Sequence, residues 1–271
     1  MNTLIDGQAI NSVPADDRGL LFGESVFETI AFHGHQAVLW DGHMQRLKRA
    51  TEAFGWDMPE EELLINECDR LLASCALAKS IIRITLTGGD GGTGYWPPPV
   101  QANRRILQLR PWPNSLALQQ EQGLRCVISP FRVPFPWTYS GMKHGSRLLQ
   151  TRAAAHCMAR DADEALLLDH HDGFAEALSS NLILVVEGQL LTPGNVEVQG
   201  VGLAWLRNVL GANLRTGTVS FRDLSMLDEM LVINSVAGIR PVIAIEDHRL
   251  PWGPMARKLQ SIWLEEALLC D

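Results

Sequence analysis

The amino-acid sequence predicts an α+β protein of two domains, with helices packed on mostly antiparallel sheet. Short runs rich in β-branched residues, such as SIIRITLT and NLILVV, are typical of strands. Segments with apolar residues at helical spacing alternate with these runs. A polar, proline-bearing stretch at 111–123 then indicates a boundary. We therefore predict an N-terminal domain at 1–113, a linker at 114–122 and a C-terminal domain at 123–271.

In the N-terminal domain, the sequence predicts two strands, at 26–32 and 36–40, joined by a turn at His33-Gly34. Asp41 is the predicted N-cap of a helix at 42–55, because its carboxylate can accept a hydrogen bond from a first-turn amide. A second helix is predicted at about 59–77. The runs SIIRITLTGG and RRILQLRPWP follow as strands.

In the C-terminal domain, the predicted order is a strand at 124–130, a loop, a helix at 146–160 and a series of strands. These strands lie in DEALLLD, GFAEALSS and NLILVVEGQLLTP, with turns at Asp172-Gly173 and Gly188-Gln189. GLAWLRNVLGANL is a predicted helix, and EMLVINS and RPVIAIED are predicted strands. The closing helix runs from about 253 to 269.

Composition excludes several classes of protein. A net charge of −8 argues against a general nucleic-acid binder, which needs a basic face to neutralise phosphates. No stretch approaches the roughly 18 consecutive apolar residues of a membrane helix, and the N-terminus does not resemble a signal peptide. The five scattered cysteines form no Cys-x-x-Cys pair, which indicates reduced thiols in a cytoplasmic protein. A local arginine cluster can still bind a small anion in such a protein.

Two motifs that suggest binding sites lack the context that such sites require. GDGGTG, at 89–94, matches Gly-x-Gly-x-x-Gly, but YWPPP follows it, and consecutive prolines cannot open the helix that a dinucleotide site needs. We interpret this segment as a flexible loop. The pairs His33/His35 and His170/His171 lack the spacing and the carboxylate or cysteine companions of a zinc site, so we predict no metal.

Lys143 is the candidate for amine chemistry. The other three lysines, Lys48, Lys79 and Lys258, fall on or at the end of predicted helices, whereas Lys143 lies in the loop YSGMKHGSRLL. A lysine amine becomes a good nucleophile when burial lowers its pKa or when it forms a Schiff base. The residues alone leave open whether Lys143 is such an amine or an ordinary exposed loop lysine.

Three further features supply partners for an amine. Arg46 lies beside the apolar stripe of its helix, where it can meet an anion. Gly200 and Gly202 precede a helix whose first amides can bind an anion. Glu176, in FAEALSSN, is either a buried acid or the outward acid of an alternating strand. An amine, an anion site and a buried acid together fit pyridoxal 5′-phosphate (PLP), which needs a lysine, a phosphate site and an acid facing its ring nitrogen.

The chain is similar to the fold-type IV family of PLP-dependent enzymes, which contains branched-chain aminotransferases, D-amino-acid transaminases and aminodeoxychorismate lyases. Five ordered segments carry the resemblance: DDRGLLFGESVFET, HMQRL, GMKHGSRL, DEALLLDHHDGFAEALSSNLILV and DEMLVINSVAGIRPV. The resemblance implies a smaller N-terminal α/β domain, a larger C-terminal pseudo-barrel domain and a homodimer. It also implies Lys143 as the Schiff-base lysine and Glu176 as the partner of the pyridinium nitrogen. The implied phosphate site consists of a guanidinium, two backbone amides and a hydroxyl, from Arg46, Trp205, Leu206 and Ser235.

Three functions remain open. LTGGDGGTGY and GMKHGSRL look most like the lyases, which convert 4-amino-4-deoxychorismate to 4-aminobenzoate and pyruvate in folate biosynthesis. Gly88 and Thr93 stand where those lyases usually carry arginine, which keeps open an aminotransferase acting on D- or branched-chain amino acids. Both would act on a small amino compound, with no nucleic-acid or membrane partner. The third possibility is a soluble binding protein in which Lys143 has no chemical role.

Overall fold

A computed structural model describes residues 2–75, 77–134, 136 and 138–267. The chain divides into two units. The first contains the residues up to Trp112 together with Met142–Ser146, and the second contains Pro113–Gly141 and the chain from Arg147 onward. Both units combine sheet and helix, and the sheet of the second is curled into a half-barrel, which confirms the predicted fold class.

The first unit is a five-stranded antiparallel sheet with helices on it. Its strands are β1 (Thr3–Ile5), β2 (Ser25–His33), β3 (Gln36–Ala37), β4 (Lys79–Thr87) and β5 (Arg104–Pro111). Its helices are α1 (Arg18–Phe22), α2 (Trp40–Phe54) and α3 (Glu61–Leu72). The strand order is β1-β5-β4-β2-β3.

One face of β2 forms the core of the first unit. Val26, Ile30 and Phe32 alternate along the strand, and all three are buried in one cluster with Leu47 of α2 and Leu64 of α3. Glu28 has the same parity as these three residues. The sheet therefore directs a carboxylate into the layer between β2 and α2.

Three predicted boundaries in this unit are wrong. Asp41 is not the N-cap of α2: the cap residue is Leu39, and Asp41 lies in the first turn, where its charge still complements the helix dipole. The strand predicted at 36–40 ends at Ala37, and Leu39 adopts a left-handed φ of 56°, which a strand cannot continue through. The helix predicted at about 59–77 ends at Leu72, and Ala76 of that prediction lies outside the described residues.

The second unit contains a nine-stranded sheet and four helices in its described residues. The strands are β6 (Leu124–Arg132), β7 (Glu164–Leu168), β8 (Phe174–Ala177), β9 (Asn181–Val186), β10 (Gln189–Thr192), β11 (Leu214–Thr216), β12 (Glu229–Asn234), β13 (Gly238–Ile245) and β14 (His248–Arg249). The helices are α4 (Ser115–Gln122), α5 (Leu148–Ala159), α6 (Val201–Leu210) and α7 (Pro254–Ile262), with short 3₁₀ segments at Gly211–Asn213 and Phe221–Met226 and a π turn at Trp263–Ala267.

The strand order is β11-β10-β9-β12-β13-β6-β7-β8, with β14 paired to β13. Three pairs are parallel, β6 with β7, β6 with β13 and β10 with β11, and the rest are antiparallel. The turn predicted at Gly188-Gln189 is one residue earlier, because Glu187 and Gly188 both have positive φ, as a two-residue hairpin of this kind requires. Helix α4 lies in the segment predicted as a linker.

The end of the predicted closing helix lies outside the described residues. Among the helices that the structure describes, none has the length and apolar character needed to cross a bilayer.

Candidate active site

In the first unit, the segment that carries Lys143 is fixed against β2. The amide of Phe27 donates to the carbonyl of Lys143 at 2.9 Å, and the amide of Gly145 donates to the carbonyl of Ser25 at 2.6 Å. A β-carbon at Gly145 would lie 2.0 Å from Ser25 Oγ, so a side chain here would displace that hydroxyl. The backbone of Lys143 is therefore held by pairing with a strand.

The side chain of Lys143 is half-buried against an aromatic ring that a second cation also contacts. Its Nζ lies 4.7 Å from the centroid of the Phe27 ring, and the guanidinium carbon of Arg83 lies 3.6 Å from the same centroid. Arg83 Nε also donates to Thr85 Oγ1 at 3.2 Å. Neither Phe27 nor Arg83 was predicted from the sequence to lie near Lys143. The feature of the sequence that could have indicated Arg83 is the presence of an arginine inside the apolar strand SIIRITLT.

Arg46 is buried, and its guanidinium is paired side-on with Glu28. Nε donates to Oε1 at 2.8 Å and Nη2 donates to Oε2 at 2.5 Å. The Nδ1 of His43, one turn earlier on α2, lies 2.6 Å from Oε2 of the same carboxylate. Burial alone would raise the pKa of Glu28, but the charge and hydrogen bonds of Arg46, together with those of His43, lower it to about 2. The carboxylate is therefore ionised.

His43 is fully buried at this pair. Burial lowers the pKa of His43 below its ordinary value, although its hydrogen bond to Glu28 acts in the opposite direction. Among the described residues, no group forms a hydrogen bond with its Nε2. Glu28 and His43 were also missed from the sequence. Two features of the sequence could have indicated them. One is the acid in the apolar strand VFET, and the other is the i, i+3 spacing of His43 and Arg46 on one helix face.

In the second unit, Glu176 is a buried acid on β8, which decides between the two interpretations that the sequence left open. Only 5% of the residue is exposed. Its Oε2 accepts hydrogen bonds from the backbone amides of Glu197 at 2.7 Å and Val198 at 3.3 Å. The Glu197 carboxylate lies 3.5 Å from Nη1 of Arg147. Glu176 thus holds the segment that leads into α6, and its own carboxylate is held in turn.

The start of α6 is packed tightly against neighbouring backbone and side chains. Asn181 Nδ2 donates to the carbonyl of Val198 at 2.9 Å. A β-carbon at Gly200 would lie 2.0 Å from Asn181 Oδ1, and one at Gly202 would lie 3.1 Å from the carbonyl carbon of Asn234 and 3.3 Å from the amide nitrogen of Ser235. The structure therefore brings the first turn of α6 and the buried Ser235 together.

The amides of Trp205 and Leu206 lie in the second turn of α6. Amides there donate to carbonyls four residues earlier, as the amide of Ala204 already does to Gly200 at 2.9 Å. The ring of Trp205 packs edge-on against Trp263, and the side chain of Leu206 is fully buried. Helix geometry leaves the amides of the first turn for an anion, and these belong to Val201, Gly202 and Leu203.

The glycine loop of the first unit folds around a buried guanidinium. Arg18 donates through Nη2 to the carbonyl of Tyr95 at 3.1 Å and through Nη1 to that of Trp96 at 3.3 Å, and its Nε donates to Glu24 Oε2 at 2.5 Å. Gly89, Gly91, Gly92 and Gly94 all have positive φ. Four such glycines let the carbonyls turn inward around one arginine.

Within the part of the chain that the structure describes, no three histidine, cysteine or carboxylate side chains are grouped as a metal site would require.

Comparisons with known proteins agree on one family. A family model described as amino-transferase class IV matches residues 25–245. The aminodeoxychorismate lyase of Vibrio harveyi is 25% identical over 267 residues, which cover 95% of this chain and 97% of that protein. The branched-chain-amino-acid aminotransferase of Escherichia coli K12 is 24% identical over 258 residues, which cover 89% and 84%.

Two solved structures show the same fold. The 4-amino-4-deoxychorismate lyase of Pseudomonas aeruginosa has a TM-score of 0.86 and 32% identity, and the match covers 97% of this chain and 98% of that one. A branched-chain aminotransferase of Escherichia coli has a TM-score of 0.87 at 23% identity, with coverage of 98% and 94%.

Proposed function

Because the chain belongs to the amino-transferase class IV family, we propose that it is a PLP-dependent lyase that converts 4-amino-4-deoxychorismate to 4-aminobenzoate and pyruvate. The observation that carries the proposal is the half-buried amine of Lys143, whose backbone is fixed on β2. The 32% identity with a solved lyase, compared with 23% for the aminotransferase, favours the lyase substrate.

The residues of each unit fit the cofactor. In the first unit, Lys143 would bind the aldehyde carbon and Arg46 the phosphate. In the second unit, Glu176 would meet the ring nitrogen, and Ser235 with the first-turn amides of α6 would bind the phosphate. The glycine at position 202, where a β-carbon would press on the backbone, keeps those amides accessible. We assign the amide donors to 201–203 in place of Trp205 and Leu206, because second-turn amides are used within the helix. When bound, PLP supplies an electron sink next to the amine-bearing carbon.

Lys143 carries the proton in this reaction. With cofactor and substrate bound, the amine of Lys143 would remove the proton from the amine-bearing ring carbon and hold it on Nζ. The carbon–oxygen bond to the enolpyruvyl group then breaks, and the departing group takes a proton to become pyruvate. Loss of the proton and of this group leaves an aromatic ring, which drives the step forward.

Glu176 would keep the ring nitrogen of the cofactor protonated. The two backbone amides that donate to Oε2 hold that oxygen of the carboxylate in place. A carboxylate held in this way would stabilise a positive charge on the ring nitrogen. The role of Glu176 would therefore be to keep a proton on the ring nitrogen, while Lys143 would move one.

Pyruvate release from 4-amino-4-deoxychorismate tests the proposal. Purified protein should be yellow, and borohydride should fix the cofactor on Lys143, which peptide mass spectrometry identifies. Lys143→Ala should abolish pyruvate release, whereas Lys48→Ala, at an exposed lysine of α2, should not. Retained turnover in Lys143→Ala, or a colourless protein that takes up no added PLP, contradicts the proposal.

An aminotransferase is the second candidate, because Gly88 and Thr93 stand where the lyases usually carry arginine. Substrate carboxylates would then lack two cations at the glycine loop. Amino-donor consumption that depends on a keto acid, without pyruvate from 4-amino-4-deoxychorismate, would select this activity.

We also propose a cytoplasmic homodimer. Leu148 and Met158 of α5 are 73% and 82% exposed, and a second subunit would cover apolar side chains of this kind. The four described cysteines are free thiols, as in a reducing compartment. Sedimentation should give twice the chain mass of 30.0 kDa, and a monomer at working concentration would contradict the dimer.

A further inference from the structure

We propose that Glu28 and His43 are positioning residues, which hold the guanidinium of Arg46 in the orientation from which it binds the phosphate group of the cofactor. The inference rests on the proposed function, because it takes Arg46 as a phosphate ligand. It assigns a role to two buried side chains that the reaction itself does not use.

The pairing of Arg46 with Glu28 fixes the direction of the guanidinium. A guanidinium is a rigid plane, and two of its three nitrogens, Nε and Nη2, are bonded to the two oxygens of one carboxylate. The plane is therefore set, and the third nitrogen, Nη1, is directed away from Glu28. Because Arg46 is only 5% exposed, its rotamers are restricted before any ligand arrives. A preorganised donor loses less entropy when it binds an anion.

His43 fixes Glu28 through a single hydrogen bond whose direction can be worked out. Glu28 is ionised and can only accept, so the contact of 2.6 Å requires the proton on Nδ1 of His43. His43 is neutral because burial lowers its pKa, and it therefore has only this one N–H. Its Nε2 then carries a lone pair and no hydrogen. This agrees with the structure, in which Nε2 is buried and forms no hydrogen bond with any described residue. His43 therefore positions Glu28, and Glu28 in turn positions Arg46.

The three groups together carry no net charge, since the ionised Glu28 offsets Arg46 and His43 is neutral. Phosphate binding at Arg46 then depends on where the guanidinium points more than on excess positive charge. A variant that keeps the charge of Glu28 but shortens its side chain should therefore weaken phosphate binding. Glu28→Asp is that variant, because it withdraws the carboxylate by one methylene.

The experiment compares the affinities of the cofactor-depleted protein for PLP and for pyridoxal, which lacks the phosphate. Glu28→Asp and His43→Leu should each lower the ratio of PLP affinity to pyridoxal affinity about tenfold, the effect of one misplaced charge-assisted hydrogen bond. His43→Asn keeps a donor near the position of Nδ1 and should stay within about twofold of the wild type. Glu67→Asp is the matched control, because Glu67 is a buried acid paired with Arg105 at 2.6 and 2.7 Å in the same unit, and its ratio should not change.

Several results would overturn the inference. An unchanged ratio in Glu28→Asp and His43→Leu would mean that the pair is structural only, and so would equal losses for PLP and pyridoxal. A ratio for His43→Asn as low as that for His43→Leu would show that Nδ1 is not the working atom. If the wild type bound no PLP at all, the proposed function would fail and this inference with it, whereas normal PLP binding with an unchanged ratio removes this inference alone.

Discussion

Replacing Arg18 with methionine tests whether a buried guanidinium holds the glycine loop in place. Methionine keeps a long apolar side chain but has no donors. In the wild type, Arg18 is 4% exposed and bonds to Glu24 at 2.5 Å and to the carbonyl of Tyr95 at 3.1 Å. Its Nη1 also faces the carbonyls of Gly91, Gly94 and Trp96 at 3.5, 3.4 and 3.3 Å.

The expected loss follows from the bonds that Arg18 makes to the loop itself. Its bond to Glu24 lies outside residues 91–96 and stays intact when the loop opens, so it is not counted. Hydrogen bonds to charged groups contribute about 1.5–3 kcal/mol each, and we take the lower end for the bond to Tyr95 because the loop lies at the surface. The longer contacts share the two hydrogens of Nη1, and we count them together as about one more such bond. The sum is about 3 kcal/mol, which corresponds to about a hundredfold increase in the open population of the loop when these bonds are lost. The cost falls on local opening, because the loop is small compared with the unit that it belongs to.

Amide hydrogen exchange of residues 91–96 measures this opening directly. In Arg18→Met, exchange there should be faster by about a hundredfold, while exchange in β4 stays at the wild-type rate. Arg105→Met is the control, because it breaks another buried pair in the same unit, with Glu67, and should leave the loop protected. Unchanged exchange at 91–96 in Arg18→Met, or faster exchange throughout the unit, would refute the reasoning.

Three further predictions follow from the geometry. Glu176→Gln should slow pyruvate release by at least about a hundredfold with PLP still bound. The amide oxygen of glutamine can accept the two backbone N–H bonds, but the uncharged amide cannot keep a ring nitrogen protonated. An unchanged kcat would exclude this role. The free energy of unfolding should fall as the pH drops below about 6.5, because His43 gains a proton in the unfolded chain but stays neutral in the folded protein. This dependence amounts to at most about 1.4 kcal/mol per pH unit. In chemical denaturation as a function of pH, His43→Asn should lack this part of the slope. Glu229→Ala should lower the free energy of unfolding, measured by urea titration, by about 2–4 kcal/mol. The buried carboxylate of Glu229 accepts hydrogen bonds from the amides of Met255 at 2.9 Å and Ala256 at 2.8 Å, at the start of α7. A loss below about 0.5 kcal/mol would contradict this account.

Regular alternation and unusual residue chemistry were predictable from the sequence. The run SIIRITLT corresponds to β4, because β-branched residues with period two suit a pleated sheet. Lys143 could be proposed as the reactive amine from the sequence, because the other three lysines fall on or at the end of predicted helices. The burial of Glu176 was not predictable from alternation, since every residue of β8 is buried and neither face of the strand is exposed.

Contacts that depend on packing were not predictable. Glu28 and His43 meet only because α2 lies on β2, and no local pattern specifies which face of the helix is buried at that depth. The amides that a helix leaves for a ligand depend on its first residue, and α6 begins at Val201, so a small error in that boundary changes which amides are assigned. Leu39 ended a predicted strand through a left-handed backbone, which its residue type does not favour.

The pairing of the Lys143 segment with β2 has a consequence for the order of folding. Ser146 Oγ contacts the carbonyl of Gly23 at 3.4 Å across 123 positions of the chain. During synthesis, β2 leaves the ribosome long before Lys143 is made, so this contact forms late. Closing a loop of this length adds little to the free-energy cost of folding, since each doubling of loop length costs about 0.6 kcal/mol. It does slow folding, because the two distant segments must find each other. A nascent chain therefore completes the Lys143 segment only after β2 and α2 have been made, and products that end before this segment should lack the amine proposed to bind the cofactor.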